Sequence, residues 1–116
     1  MKTFGQVIVA ARKAASLTQK AVAARLRRGD GREVPPPYLN DLGHDRRYPP
    51  ENEVIEQLAK ILNISEDFLY FYARRMPGDI NRDFDESRIK AAYRGFRNEL
   101  KRPGRGAKPN ADIGAV

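Results

Sequence analysis

Arg46 and Arg47 stand side by side, just past the short stretch Tyr38-Leu39-Asn40-Asp41-Leu42 and just before Pro49-Pro50. Two adjacent guanidiniums offer planar, bidentate recognition of phosphate or carboxylate; they offer no covalent chemistry, because arginine stays protonated. Asp45 is the obvious acidic neighbour that could neutralise the pair. A second basic group, Arg27, Arg28 and Arg32, sits on the glycine-broken run RRGDGREV, and Gln19-Lys20 follow Thr18 upstream. Catalytic groups are scarce by contrast. The single histidine, His44, lies at a polar helix end with no evident partner, while Ser16, Ser65 and Ser87 occupy turn or cap positions. No phosphate-cradling glycine loop is present. No catalytic residue, metal site or cofactor is expected, and the chain does not read as an enzyme.

The charge pattern points the same way. Net charge is +7 and the sequence pI about 10.0. From Arg12 to Arg47 nine Lys/Arg stand against four Asp/Glu, whereas from Glu51 to Asp67 only Lys60 opposes five carboxylates. One basic segment followed by one acidic segment suits a molecule with one side toward a polyanion and the other away from it. The absence of cysteine excludes disulfides and fits an intracellular home. The apolar run in MKTFGQVIVAARK is too short for a signal peptide, and nothing approaches the ~20 apolar residues of a membrane span. The expected location is the cytoplasm, with no membrane partner.

These side chains must be held by helices, since helix signals recur and strand signals do not. Thr3 with Gln6 makes a capping box ahead of Phe4, Val7, Ile8, Ala11 and Ala15. Thr18 caps a second helix, QKAVAARLRR, that buries Val22, Ala23 and Leu26 and turns Lys20, Arg25, Arg27 and Arg28 outward. A third, brief helix runs from about Pro36 to His44, fenced by Pro35-Pro36-Pro37 before it and Pro49-Pro50 after it. ENEVIEQLAKILN is amphipathic and ends at Asn63; Ser65 caps a fifth helix around FLYFY, whose five large apolar residues cannot all face one side. A sixth helix is expected in the segment beginning at Asp83, with Ile89, Tyr93, Phe96 and Leu100 on one stripe. The domain plan is 1–78, then a helical extension 79–102, then a disordered tail 103–116 with too little to bury.

The ordered set Leu17-Thr18-Gln19, Ala23, Tyr38-Leu39-Asn40-Asp41-Leu42, Arg46-Arg47-Tyr48-Pro49 and LAKILNISEDFL resembles the Cro/C1-type (XRE) family of bacterial and phage regulators over roughly residues 3–76. The resemblance implies an all-α, five-helix, lambda-repressor-like helix-turn-helix domain that binds double-stranded DNA. Carried over from the family, base-reading positions fall on Pro36, Pro37 and Asp41, with Tyr38 and Asn40 beside them. Asp41 could accept from cytosine N4, and the prolines offer only apolar contact, for instance to a thymine methyl. Tyr38 either reaches the duplex or packs against the second helix. Gln19 and Lys20 match the family's phosphate-touching helix start, and Arg46 and Arg47 suit the flanking strand.

Three features depart from the family pattern: the two prolines, about seven extra residues between the second and third helices, and Gly43 where a glutamate commonly pairs with the arginine matched by Arg12. Without that glutamate, Arg12 has Asp41, Asp45 or a phosphate to turn to. The inserted loop, carrying Arg28 and Arg32, either grips phosphate or a minor groove or is simply exposed. A homodimer on a palindromic operator is expected, with Phe71, Tyr72, Ile89, Tyr93, Phe96 and Leu100 as its meeting surface. FYARRMPGDI, from Phe71 to Ile80, also resembles regulators found beside a metallopeptidase. The alternative is therefore an antitoxin or protease-controlled protein that binds a co-encoded toxin or metallopeptidase through its C-terminal segment.

Overall fold

Helix starts fall where a side-chain oxygen can take an unpaired N–H. In the computed structural model, which describes residues 2–80 and 82–104, α1 (Phe4–Ala14) begins with a reciprocal box. Thr3 Oγ1 accepts from the Gln6 N–H at 3.1 Å and Gln6 Oε1 accepts from the Thr3 N–H at 3.0 Å. Thr18, Ser65 and Asp85 cap α2 (Gln19–Arg25), α5 (Glu66–Ala73) and α6 (Glu86–Lys101) in the same one-sided way. α3 (Pro36–Gly43) has no side-chain cap, and its leading prolines carry no N–H to satisfy. α4 (Asn52–Leu62) ends at Asn63 in the left-handed region, φ 56°, which asparagine tolerates.

The chain is all-α: six helices and no strand among the described residues. Its described residues divide into two units, one reaching residue 80 and one starting at residue 82. In the first, α1 packs on α3 and α5, α2 on α3, and α4 on α5. Removal of apolar surface from water drives this: Phe4, Val7 and Ile8 of α1 meet Val22, Leu26, Leu39 and Leu42, together with the α4 row Val54, Ile55, Leu58 and Leu62. FLYFY splits as its spacing demands. Leu69 and Tyr70 are buried, Tyr72 is half-buried, and Phe68 and Phe71 are exposed. The described residues of the second unit, 82–104, hold one helix, α6, and none of them is buried.

Two boundaries differ from the sequence expectation. α2 stops at Arg25, three residues early, because another geometry claims Arg27. Its N–H donates to Gln57 Oε1 at 2.8 Å and its carbonyl accepts from Gln57 Nε2 at 2.9 Å. Arg27 pairs antiparallel with Glu33, the Arg28 N–H donates to the Arg32 carbonyl at 2.8 Å, and Gly31 turns the tip at φ 83°. RRGDGREV is thus a short hairpin, rooted on either side by the buried Leu26 and Val34. α6 begins at Glu86, since the Asp85 carboxylate accepts the Arg88 N–H at 2.8 Å. Of the tail expected at 103–116, residues from 105 onward lie outside the described residues.

Candidate nucleic-acid interface

α3 is set by its close approach to α1. A Cβ on Gly5 would lie 2.6 Å from the Leu42 carbonyl oxygen and 2.7 Å from that of Gly43, and one on Gly43 would lie 2.8 Å from a Val9 methyl carbon. Any side chain at Gly43 would have to displace Val9. Arg12 donates instead to the Leu17 carbonyl at 2.8 Å, neither to a carboxylate nor across to α3. Asp45, in the left-handed conformation at φ 57°, accepts the Gly5 N–H at 2.9 Å and the Thr3 hydroxyl. The acidic residue nearest the arginine pair in sequence is thereby spent on the start of α1.

Asp41 takes its place. Arg46 Nη1 lies 3.2 Å from Asp41 Oδ1 and Arg47 Nε 3.7 Å from Asp41 Oδ2. Tyr38 and Asp41, three apart, share a face of α3. Arg47 lies between them, its guanidinium carbon 5.0 Å from the centre of the Tyr38 ring. The ring packs against the core on one side and under Arg47 on the other. Burial pushes its hydroxyl pKa up, the Arg47 and Arg28 charges pull it down, and Glu51 adds to the rise.

The remaining positions separate into two groups. Gln19 Nε2 donates to Asn40 Oδ1 at 3.3 Å, so both side chains serve the α2–α3 contact. Pro36, Pro37 and Lys20 are exposed. Arg32 is exposed and lies 3.5 Å from Asp30 across the hairpin turn. Arg28 projects instead into a cleft of about 300 Å³ shared with Val34, Tyr38, Arg47, Glu51 and Val54. The structure therefore gathers Arg28, Tyr38, Asp41, Arg46 and Arg47 along one edge of α3. His44 is exposed, its Nδ1 bonded to the Asn40 carbonyl at 2.8 Å. No cluster of residues among those described could hold a metal ion.

Gln57 escaped the sequence reading, as did the actual surroundings of Asp45, which serves the start of α1, and of Glu51, which lies beside the hairpin. The partners of all three lie more than twenty residues away in the chain, and no spacing rule reaches that far. On α5, Phe71 meets Tyr72 edge to face with ring centres 5.2 Å apart, and Phe68 meets Tyr72 at 5.1 Å. On α6, Ile89, Tyr93, Phe96 and Leu100 are exposed along one stripe. No described helix is long and apolar enough to cross a membrane. No family model, curated protein or solved structure matches the chain.

Proposed function

We propose that this chain is a sequence-specific, double-stranded DNA-binding regulator of the Cro/C1-type (XRE) kind, with a lambda-repressor-like helix-turn-helix formed by α2 and α3. The observation that carries it is the arginine cluster along α3: Arg28, Arg46 and Arg47 are exposed, and the one carboxylate paired with Arg46 and Arg47, Asp41, comes from α3 itself. In this function α3 enters the major groove, a helix being narrow enough to do so, with Pro36, Pro37 and Asp41 toward base edges. Arg46 and Arg47 leave Asp41 for phosphates of the flanking strand, which frees the carboxylate to accept from a base. Lys20 and the hairpin arginines add phosphate contacts.

One α3 covers few base pairs, so the functional unit is a homodimer on a palindromic operator with half-sites ~34 Å apart, acting as a repressor. Exposed apolar surface on α5 and α6 is of the kind that marks such meeting surfaces. Selection of bound duplexes from a random pool tests the function: an enriched palindrome with one helical turn between half-sites is the expected result. A pool that stays random would reject sequence-specific binding. Light scattering of the full chain should give twice 13.1 kDa, and Phe71→Asp should halve it.

A further inference from the structure

The hairpin between α2 and α3 carries an arrangement that stability alone does not favour. Arg28 and Arg32 lie opposite one another, one step in register from the Arg27–Glu33 bridge, which sets two like charges together at the base of the turn. Like charges directly opposite in a β-pair destabilise it. Arg32 is offset by Asp30. Arg28 has no ion pair among the described residues, and lies in the cleft whose facing wall is Arg47 stacked on Tyr38. Glu51 is the one carboxylate on that wall, and it lies close to the hairpin turn: a Cβ on Gly29 would come within 3.3 Å of it. Two guanidiniums thus face a common space lined by one carboxylate, with Glu53 beside the hairpin turn and Asp41 3.7 Å from Arg47.

We propose that Arg28 and Arg47 close on one backbone phosphate of the duplex, with Tyr38 as the inner wall, so that the hairpin is a second arm fixing how α3 sits in the groove. Each guanidinium presents a planar fork of N–H donors that matches a phosphate's oxygens. A phosphodiester is the ligand rather than a free phosphate because the cleft is open and adjoins the first turn of α3, beside the exposed Pro36 and Pro37. Arg28 is the member that this assignment adds to the interface as a partner of Arg47. The clamp presupposes the DNA-binding function proposed above.

The test is the salt dependence of binding to a mixed-sequence 24-base-pair duplex, followed by fluorescence anisotropy, for the full chain and its Arg28→Ala, Arg47→Ala and doubly substituted forms. The slope of log K against log salt falls by ~0.9 for each phosphate that is no longer neutralised. Because both arginines hold one phosphate, the double variant should lose ~0.9 in slope, not the ~1.8 of two separate phosphates. Either single variant should lose little slope, because the other arginine still neutralises the phosphate. In the Arg47→Ala background Arg28→Lys should keep most of the slope that Arg28→Ala loses, and Arg28→Ala with Arg46→Ala should lose only the ~0.9 of the Arg46 phosphate. No variant should melt well below the parent, since all three arginines are exposed and removing Arg28 relieves a like-charge pair. A double variant losing ~1.8, or an Arg28→Ala change that is silent with Arg47 present or absent, would overturn the clamp while leaving DNA binding intact. A parent chain that retains no duplex at low salt would overturn both. Saturable binding of inorganic phosphate that Arg28→Ala abolishes, with duplex binding unchanged by it, would assign the cleft to a small anion and likewise overturn the clamp.

Discussion

Two sets of arginines share this small domain and are used in opposite ways. Arg12, Arg27 and Arg75 donate to backbone carbonyls: Arg12 to Leu17, Arg27 to Ala24 and Leu26, and Arg75 to Pro49 and Pro50 with Asn52 Oδ1 at 3.1 Å. They tie off chain ends that helices leave unpaired. The guanidiniums of Arg32, Arg46 and Arg47 reach carboxylates at 3.2–3.7 Å in partly or wholly exposed positions and, among the described residues, no backbone carbonyl, Arg47 also lying over the Tyr38 ring. Exposed ion pairs contribute little and exchange readily for another anion. Composition cannot separate the two sets; what each guanidinium donates to does. The carbonyl-bound set builds the domain, and the carboxylate-bound set is available to a phosphate.

The largest effect should come from the scaffold beneath both sets. Gly5→Ala drives a methyl into the carbonyls of Leu42 and Gly43 and against Asp45, and should cost about 3 kcal/mol in urea unfolding, taking duplex binding with it. Arg75→Met leaves the Pro49 and Pro50 carbonyls unpaired, and should cost about 2 kcal/mol by the same measurement. Its salt slope for duplex binding should equal the parent's, and a lowered slope would collapse the distinction between the two sets.

Alkaline pH probes the scaffold alone. Tyr70 is 2% exposed, and burial, reinforced by its hydrogen bond to Glu56 at 3.0 Å, pushes its pKa from 10.0 up to about 12. The folded state holds this proton more tightly than the unfolded chain does. Its contribution is therefore complete below pH 10 and is lost as pH rises toward 12. Unfolding free energy should fall by about 2 kcal/mol over that interval relative to Tyr70→Phe, which lacks the titrating group. Parallel curves for the two proteins would contradict the assignment.

The smallest effect belongs to the exchangeable set. Asp41→Asn removes the counter-charge of Arg46 and Arg47, so affinity for a mixed-sequence duplex should rise about threefold, with unfolding little changed. A fall in affinity would show that Asp41 positions the arginines rather than competing for them.

What could be read directly from the sequence was local. Thr3, Thr18, Ser65 and Asn63 mark helix ends through bonds that span three or four residues, and amphipathic spacing placed the α4 row in the core. The hairpin was hidden because its closure depends on Gln57, thirty residues from Arg27 in the chain. Proximity in sequence suggested Asp45 as the neighbour of Arg46. The left-handed turn at Asp45 instead sends its carboxylate to α1, while Asp41, one helical turn back, comes within reach of both arginines. Spacing identified the basic residues, but their division into two uses needed the fold.

The division of the arginines is open to one direct measurement, the salt dependence of duplex binding by the full chain, by Arg46→Ala/Arg47→Ala and by Arg75→Met. A linear plot of log K against log salt is expected, with a slope that drops by about 0.9 when Arg46 and Arg47 are removed, since Arg28 still holds the phosphate it shares with Arg47, and is unchanged when Arg75 is replaced. Equal slopes for all three proteins, or a parent chain that retains no duplex at low salt, would contradict it.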